Sequence, residues 1–327
     1  MTSAEIKRLA QILRSRRVVV LAGGCSAERE ISLLSGASIE VTLRRAGIAA
    51  DVVDPGTDES EAFRVIDELR SSRPLVFVAL HGAFGEDGRI QQRLERNKVA
   101  FTGSASDASR IAFEKSRLKT RWVAEGVRTA PFAVIGHDFV DRLDLDSIWR
   151  QFGGKALVVK PTASGSSLGV GRVDRFSDFA PRIHDALRFG CEVMVEPFLA
   201  GPEWSVGFYD SDCIGVNRIT TDETAGLFDY TRKYSSVASP FEPMSPSASG
   251  IPVGLIPLAK DAVRSAGARG MSRVDVREDS SGQMFVLEIN TVPGFSAKSQ
   301  YPRMAETSGI GFESLCIRAL GDCILGH

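Results

Sequence analysis

The feature that most constrains this chain is a regular alternation of strand-like and helix-like segments over its first hundred residues. After a helical stretch at 5–16, a β-branched run at 17–21 ends in Gly23-Gly24. Residues 28–46 then carry apolar side chains at helical spacing (Ile31, Leu34, Ile39, Leu43) as far as Gly47. Strands at 49–53 and 75–80, helices at 59–72 and 89–96, and a short strand at 99–101 continue the alternation. Strand–helix–strand order implies a parallel, doubly wound α/β sheet. Open α/β sheets bind ligands at the carboxyl ends of their strands, which is where Gly23-Gly24 and His81-Gly82 fall.

Beyond residue 105 the pattern changes. A helix is expected at 113–125, a strand at 132–135 and a helix at 144–152. Strands at 156–160 and 170–173 enclose a Ser/Gly-rich loop with no helix between them, which means antiparallel pairing. A helix at 177–189 and strands at 192–196, 204–209 and 214–220 lead into a polar stretch, 221–250, with few periodic apolar positions. So long a loop in a compact domain is expected to be functional and mobile. A helix at 257–268, strands at 273–277 and 284–290, and terminal helical turns complete the chain.

Composition excludes several classes. Against 40 Lys and Arg stand 41 Asp and Glu, a formal charge of −1 that offers no broad attraction to nucleic acid or an anionic membrane. The apolar runs are strand-length, far short of the roughly 20 residues of a membrane span, and the polar start of the chain does not read as a signal peptide. Five scattered cysteines without a CxxC pair suggest reduced thiols and a cytoplasmic protein. At roughly 150 residues per domain, the 327 residues suggest two or three domains.

Gly165-Ser166-Ser167-Leu168-Gly169 matches the G-x-S-x-G nucleophile elbow in form. An elbow needs a helix after the turn and a later catalytic His; here a β-like segment follows, with His184 and His327 as the later histidines. There is no Walker A, no G-x-G-x-x-G and no His pair spaced for zinc. Lys160, leaving a strand ahead of the Ser164–Gly169 loop, reads better as a phosphate site: a point cation beside several backbone N–H groups. A solvated surface hairpin is the plainer alternative. On a neighbouring pair of strands, Glu288 and Asn290 alternate by two and Asp275 can face them, giving three oxygen ligands suited to Mg²⁺. A solvated strand face would account for the same residues. His81 opens a glycine-rich loop, and Glu28 lies in the first turn of a helix behind Ser26, where capping alone explains most of the pattern.

In order along the chain stand Gly23-Gly24-x-Ser26-Ala27-Glu28-Arg29-Glu30 and His81-Gly82-x-x-Gly85-Glu86-Asp87-Gly88-x-x-Gln91. Thr102-Gly103-Ser104, Val159-Lys160-Pro161, Gly165-Ser166-Ser167, Glu196 and Gly201-Pro202-Glu203 follow. Lys233-Tyr234, Arg273-Val274-Asp275 and Glu288-x-Asn290-Thr291-x-Pro293-Gly294 close the series. This ordered set resembles the D-alanine–D-alanine ligases of the ATP-grasp superfamily nearly end to end. The resemblance implies an ATP-grasp fold in three units: an N-terminal α/β unit at 1–104, a central one at 105–198, and a C-terminal one at 199–327 carrying the mobile loop 221–250. It implies ATP with two Mg²⁺, Mn²⁺ being a possible substitute, and a homodimer, which is the family's habit. Lys115, Lys160, Ser166 and Lys233 would contact the nucleotide's phosphates, Glu196 the adenine amine and Glu203 the ribose. Asp275, Glu288 and Asn290 would hold the metal. Glu28, with His81 beside it, would bind the first D-alanine. Arg273 and the Gly294 amide would stabilise the oxyanion, and Ser299 with Gln300 would meet the second substrate. Ser167 and Tyr234 would tie the loop across the site.

The chain departs from the family pattern at Phe113-Glu114-Lys115, which replaces Met-Asp-Lys but keeps the lysine, and at Ala297-Lys298-Ser299-Gln300. Tyr301-Pro302-Arg303-Met304 resembles the D-alanine–D-lactate ligases, although those carry a His in the loop where this chain has Tyr234. Two alternatives follow: a sister ligase with another acceptor (D-serine, D-lactate or another amino acid), discriminated by Gln300, and a non-catalytic binding protein. The intact acid set argues against the second.

Overall fold

The computed structural model describes residues 2–220 and 241–325. Its elements are α1 (Ser3–Leu13), β1 (Val18–Leu21), α2 (Arg29–Arg45), β2 (Ala50–Val53), α3 (Glu59–Ser72), β3 (Leu75–Val78) and α4 (Arg89–Arg96). Next come α5 (Ser106–Phe113), α6 (Lys115–Ala124), β4 (Ala133–Gly136), α7 (Leu145–Gln151), β5 (Leu157–Pro161), β6 (Gly171–Val173), α8 (Phe179–Leu187) and β7 (Glu192–Pro197). The chain continues through β8 (Glu203–Tyr209), β9 (Asp212–Ile219), β10 (Phe241–Met244), α9 (Leu255–Ala266), β11 (Met271–Glu278), β12 (Met284–Asn290), α10 (Gln300–Thr307) and α11 (Phe312–Leu325).

Three sheets organise them. The first is parallel, in order β2-β1-β3; β1 and β3 are apolar on both faces because helices cover both, while the edge strand β2 exposes Asp51. Gly36 on α2 lets that helix approach β1: a Cβ there would lie 2.4 Å from the Cβ of Ala22. The second sheet, β4-β7-β5-β6, and the third, β10-β9-β8-β11-β12, are antiparallel throughout. The α/β class read from the sequence is the one observed, including the antiparallel β5–β6 pair around the Ser/Gly loop.

Four differences from expectation have local causes. The helix expected at 113–125 is two helices, because Glu114 is extended (φ −84°, ψ 90°). That break lets the Lys115 amide donate to the Thr162 carbonyl at 2.8 Å, docking α6 against the end of β5. The strand expected at 99–101 is a single bridge, Val76 to Phe101. Within the expected loop 221–250, residues 241–244 form β10, an edge strand on β9 where Pro243 is tolerated; residues 221–240, with Lys233 and Tyr234, lie outside the described residues. Finally, the terminal helical turns are two full helices. Leu315, Cys316 and Leu320 of α11 are buried with Leu9, Leu13, Val18 and Val20, so the end of the chain closes the core begun by its start.

Candidate active site

One strand sets the axis of the site. On β11, Arg273, Asp275 and Arg277 alternate on one face, each roughly 7 Å from the next at two residues' rise. The opposite face, with Val274 and Val276, joins the core under α9. Register with β12 places Arg273 opposite Asn290 and Asp275 opposite Glu288, while register with β8 places Ser205 beside Asp275 and Glu203 beside Arg277. The facing carboxylates expected from the alternation are therefore formed by the ladder itself.

Two clefts open along this axis. One, of about 830 Å³ with its open mouth, is lined by Lys160, Ser167, Glu196, Phe198, Glu203, Asp275 and Arg277. The other, about 2120 Å³ and wider, is lined by Glu28, His81, Ser166, Arg273, Asn290, Gly294, Ser299 and Gln300. Lys115, Ser164 and Glu288 line both, so the clefts meet there.

In the walls of the first cleft, cations and carboxylates stand in direct contact. Lys160 and Glu196 share a face of the second sheet, and the Lys160 Nζ lies 2.5 Å from Glu196 Oε1. The other oxygen of Glu196 accepts from Lys119, which is fully buried and lies over the Phe132 ring. Burial alone would push the Glu196 carboxyl up, but the two ammoniums outweigh it and hold it at about 2. Lys119 is itself pushed down by burial, with Glu196 opposing. Lys115 donates to the Ser164 carbonyl at 2.7 Å and lies 3.4 Å from Glu288. Ser166 and Ser167 both take left-handed backbone (φ 49° and 58°) in the loop between them. Such positions cost about 1 kcal/mol or more each and concentrate at functional loops.

The second cleft is built around buried acids and a neutral histidine. Ser26 donates to the His81 carbonyl at 2.6 Å and accepts from the Glu28 amide at 3.1 Å, tying the start of α2 to the glycine-rich loop. The loop at Gly165 packs directly on Glu28: a Cβ there would lie 2.3 Å from Glu28 Oε1. Glu86 is buried, accepts from the Gly82 amide at 2.8 Å, and has its carboxyl raised well above the usual range by burial and by Glu28. His81 donates from Nδ1 to the Val292 carbonyl (3.0 Å) and accepts at Nε2 from Ser35 (2.9 Å). Burial, opposed by the Val292 contact, lowers it to about 4, so the ring is neutral near pH 7. Ser35 also accepts from the Phe295 amide at 3.3 Å. His81 thus braces the 291–295 turn against α2, with both ring nitrogens engaged inside the protein. Expected beside the first substrate, it lines the second cleft and is also a strut behind Gly294.

Other candidate residues also have partners within the protein. Arg273 donates from Nε and Nη2 to both oxygens of Asp275 (2.9 and 2.8 Å), and Ser205 donates to Asp275 as well. Asn290 Oδ1 accepts from the Val292 amide at 2.8 Å. Glu196, expected at an adenine amine, lines the first cleft and contacts two lysines. Ser299 is the N-cap of α10 and contacts Ser296 through its amide and hydroxyl; Gln300 lies 3.5 Å from Asn217 Nδ2. Lys119, Arg277 and Ser205 were not singled out from the sequence, and Glu86 stood there only within the glycine-rich motif. Arg277 was within reach, since it continues the alternation of Arg273 and Asp275.

The donor set at Asp275, Glu288 and Asn290 is two carboxylates and an amide oxygen, the hard ligands Mg²⁺ takes. Among the described residues no three His, Cys, Asp or Glu cluster to hold a metal unaided.

A cleft of paired cations and carboxylates between two antiparallel sheets opens at Lys115 and Glu288 onto a second cleft with acids at its base, an arrangement with room for two substrates. The family model for the D-Ala–D-Ala ligase C-terminus matches residues 122–320. The curated D-alanine–D-alanine ligases of Pseudoalteromonas translucida and Acinetobacter baylyi are 35% and 33% identical, covering 93% and 95% of this chain and 96% of their own. Crystal structures of D-alanine–D-alanine ligases superpose over almost the whole chain. The Bacillus anthracis enzyme complexed with ATP has a TM-score of 0.78 at 21% identity, covering 95% of this chain and 98% of its own. The Coxiella burnetii enzyme has 0.74 at 24%, covering 94% and 96%. The chain belongs to the D-alanine–D-alanine ligase family and has its ATP-grasp fold.

Proposed function

We propose that the protein joins two D-alanines at the expense of ATP, through a D-alanyl phosphate, to supply D-alanyl-D-alanine for peptidoglycan. The observation that carries this reading is the meeting of the two clefts at Lys115 and Glu288. A phosphoryl group entering from one side there meets a carboxylate entering from the other.

ATP lies along the first cleft, with its phosphates towards Lys115, Lys160 and the Ser166–Ser167 loop, and its ribose towards Glu203. Glu196, held between Lys160 and Lys119, meets the adenine amine. Mg²⁺ held by Asp275, Glu288 and Asn290 would neutralise charge on the phosphates. Glu28 takes the ammonium of the first D-alanine. Its carboxylate attacks the γ-phosphorus and ADP leaves. The amine of the second D-alanine then attacks the acyl carbon, and phosphate departs with one oxygen of that carboxylate. Arg273 and the Gly294 amide face the developing oxyanion, and the α10 N-terminus at Ser299, beside Gln300, favours the second carboxylate. Excluding water protects the acyl phosphate, a task we give to Ser167 with Tyr234, while Lys233 joins the cations at the phosphates.

We further propose three units, with boundaries near 104 and 198, a homodimer, and a cytoplasmic location. No helix among the described residues is long and apolar enough to cross a membrane. The test is release of ADP and phosphate from ATP with candidate acceptors. Release that requires both D-alanine and Mg²⁺ is expected. No release with D-alanine, D-serine, D-lactate or L-amino acids contradicts the reading, and preference for another acceptor moves it to a sister ligase.

A further inference from the structure

At the far end of the first cleft from the amino-acid side, the wall is an ion pair. Arg277 Nη1 donates to Glu203 Oε2 at 3.1 Å across the β8–β11 ladder, and both side chains are buried. The Arg277 guanidinium also lies over the Phe198 ring, 4.9 Å from its centroid, while Arg172 of β6 lies 4.0 Å from the same ring. Arg172 is tethered by Asp174 at 2.8 Å. The Arg277 Nε is buried without a hydrogen-bond partner. A protein gains little stability from such an arrangement, because taking an Arg–Glu pair out of water offsets its attraction and an orphaned donor adds cost. Its place beside Phe198 and Glu203 in the lining of the nucleotide cleft gives it another use.

We propose that Arg277 is a positioning residue for nucleotide selection: it fixes the Glu203 carboxylate so that the cleft distinguishes ribose from deoxyribose. The inference rests on the placement of ATP given above. Three features carry it. Arg277 is rigid, pinned at one end by the sheet and over its plane by Phe198. It meets Glu203 through a single Nη1–H while its plane lies on Phe198, and that stacking holds the donor in place as a flexible lysine stem could not. It also stands about two residues' rise beyond Asp275, away from the phosphate end, so it acts on the sugar without acting on the chemistry. A carboxylate held in this way accepts from a sugar hydroxyl in a charge-assisted bond, and a nucleotide lacking that hydroxyl leaves it unmatched.

The experiment measures binding and turnover of ATP, 2′-deoxyATP and 3′-deoxyATP by the full chain with Mg²⁺ and D-alanine. The unaltered protein is expected to prefer ATP about 10-fold or more over at least one deoxynucleotide, the worth of one hydrogen bond to a charged group. Arg277→Met should raise the KM for ATP about 10-fold, leave kcat within about 3-fold, and bring the three nucleotides within about 2-fold of one another. Arg277→Lys, which keeps a cation against Glu203, should retain part of the preference. Glu203→Gln should abolish it, and adding Arg277→Met to that variant should change selectivity no further. A merely structural pair would alter the melting temperature and leave the nucleotide ratio untouched. An unchanged ratio in Arg277→Met, or in Arg277→Lys and Glu203→Gln if the Met variant does not fold, overturns the proposal. So does an unaltered protein that uses all three nucleotides equally well, a result that leaves the ligase reading standing. Failure of the unaltered protein to bind ATP overturns both.

Discussion

The two clefts that meet at Lys115 and Glu288 are stabilised in opposite ways. In the first, charge is compensated in place: Glu196 sits between Lys119 and Lys160, and Glu203 against Arg277, all on strand and helix scaffolds. In the second, charge is suppressed or left facing the cleft. His81 is neutral, Glu86 resists ionisation, and Glu28 lies against a loop with left-handed serines. A cleft for a highly charged nucleotide needs cations held ready at fixed places, and buried acids keep them there. A cleft for a small zwitterion needs a few well-aimed groups and walls that can close, so neutral struts and strained loops suit it.

This contrast can be broken at several points, beginning with the largest effect. Lys160→Ala should lower turnover by about 10³-fold, measured as ADP release, with the fold intact by circular dichroism; Glu288→Ala, at the junction, should do the same. Unchanged activity in both would refute the site. Lys119→Met leaves Glu196 with one partner in a dry interior, so unfolding titrations should show a loss of about 4 kcal/mol. A loss below about 1 kcal/mol would mean that the compensation in the first cleft is not structural.

The second cleft has a pH signature. The His81 pKa falls from 6.5 unfolded to about 4 folded, so between those values the unfolded chain binds the extra proton. Its contribution is complete above pH 6.5 and is lost as pH falls towards 4, by up to about 3 kcal/mol. His81→Gln should flatten that part of the stability profile; an equal slope in both proteins contradicts the neutral strut. The smallest effect is Gly165→Ala, whose methyl displaces Glu28. It should raise the KM for D-alanine about 10-fold, near 1.4 kcal/mol, and leave the KM for ATP within about 2-fold. Equal changes in both would mean that the clefts are not separable.

What could be read from the sequence was what depends on local periodicity. The alternation along 273–277 and 284–290 placed Asp275 and Glu288 on one face, and the ladder puts them in register. Gly23-Gly24 and His81-Gly82 were legible as strand ends because parallel sheets expose that edge. Lys119 was not, because a lysine at a helical position reads as solvent-facing. It is buried here by a carboxylate 77 residues away. The break at Glu114 was hidden for a similar reason: it is dictated by the Thr162 carbonyl, not by helix propensity. The commitment of Asp275 to Arg273 also escaped, since alternation fixes a shared face but not which neighbours on it pair.

The central claim is that a carboxylate from the second cleft attacks a phosphorus presented from the first. D-alanine labelled with ¹⁸O in its carboxylate, turned over with unlabelled ATP, reads this directly in the mass of the released phosphate. Attack followed by acyl transfer places one ¹⁸O in each phosphate. Phosphate without ¹⁸O would mean that water, not the amino acid, meets the phosphorus, and would contradict the account.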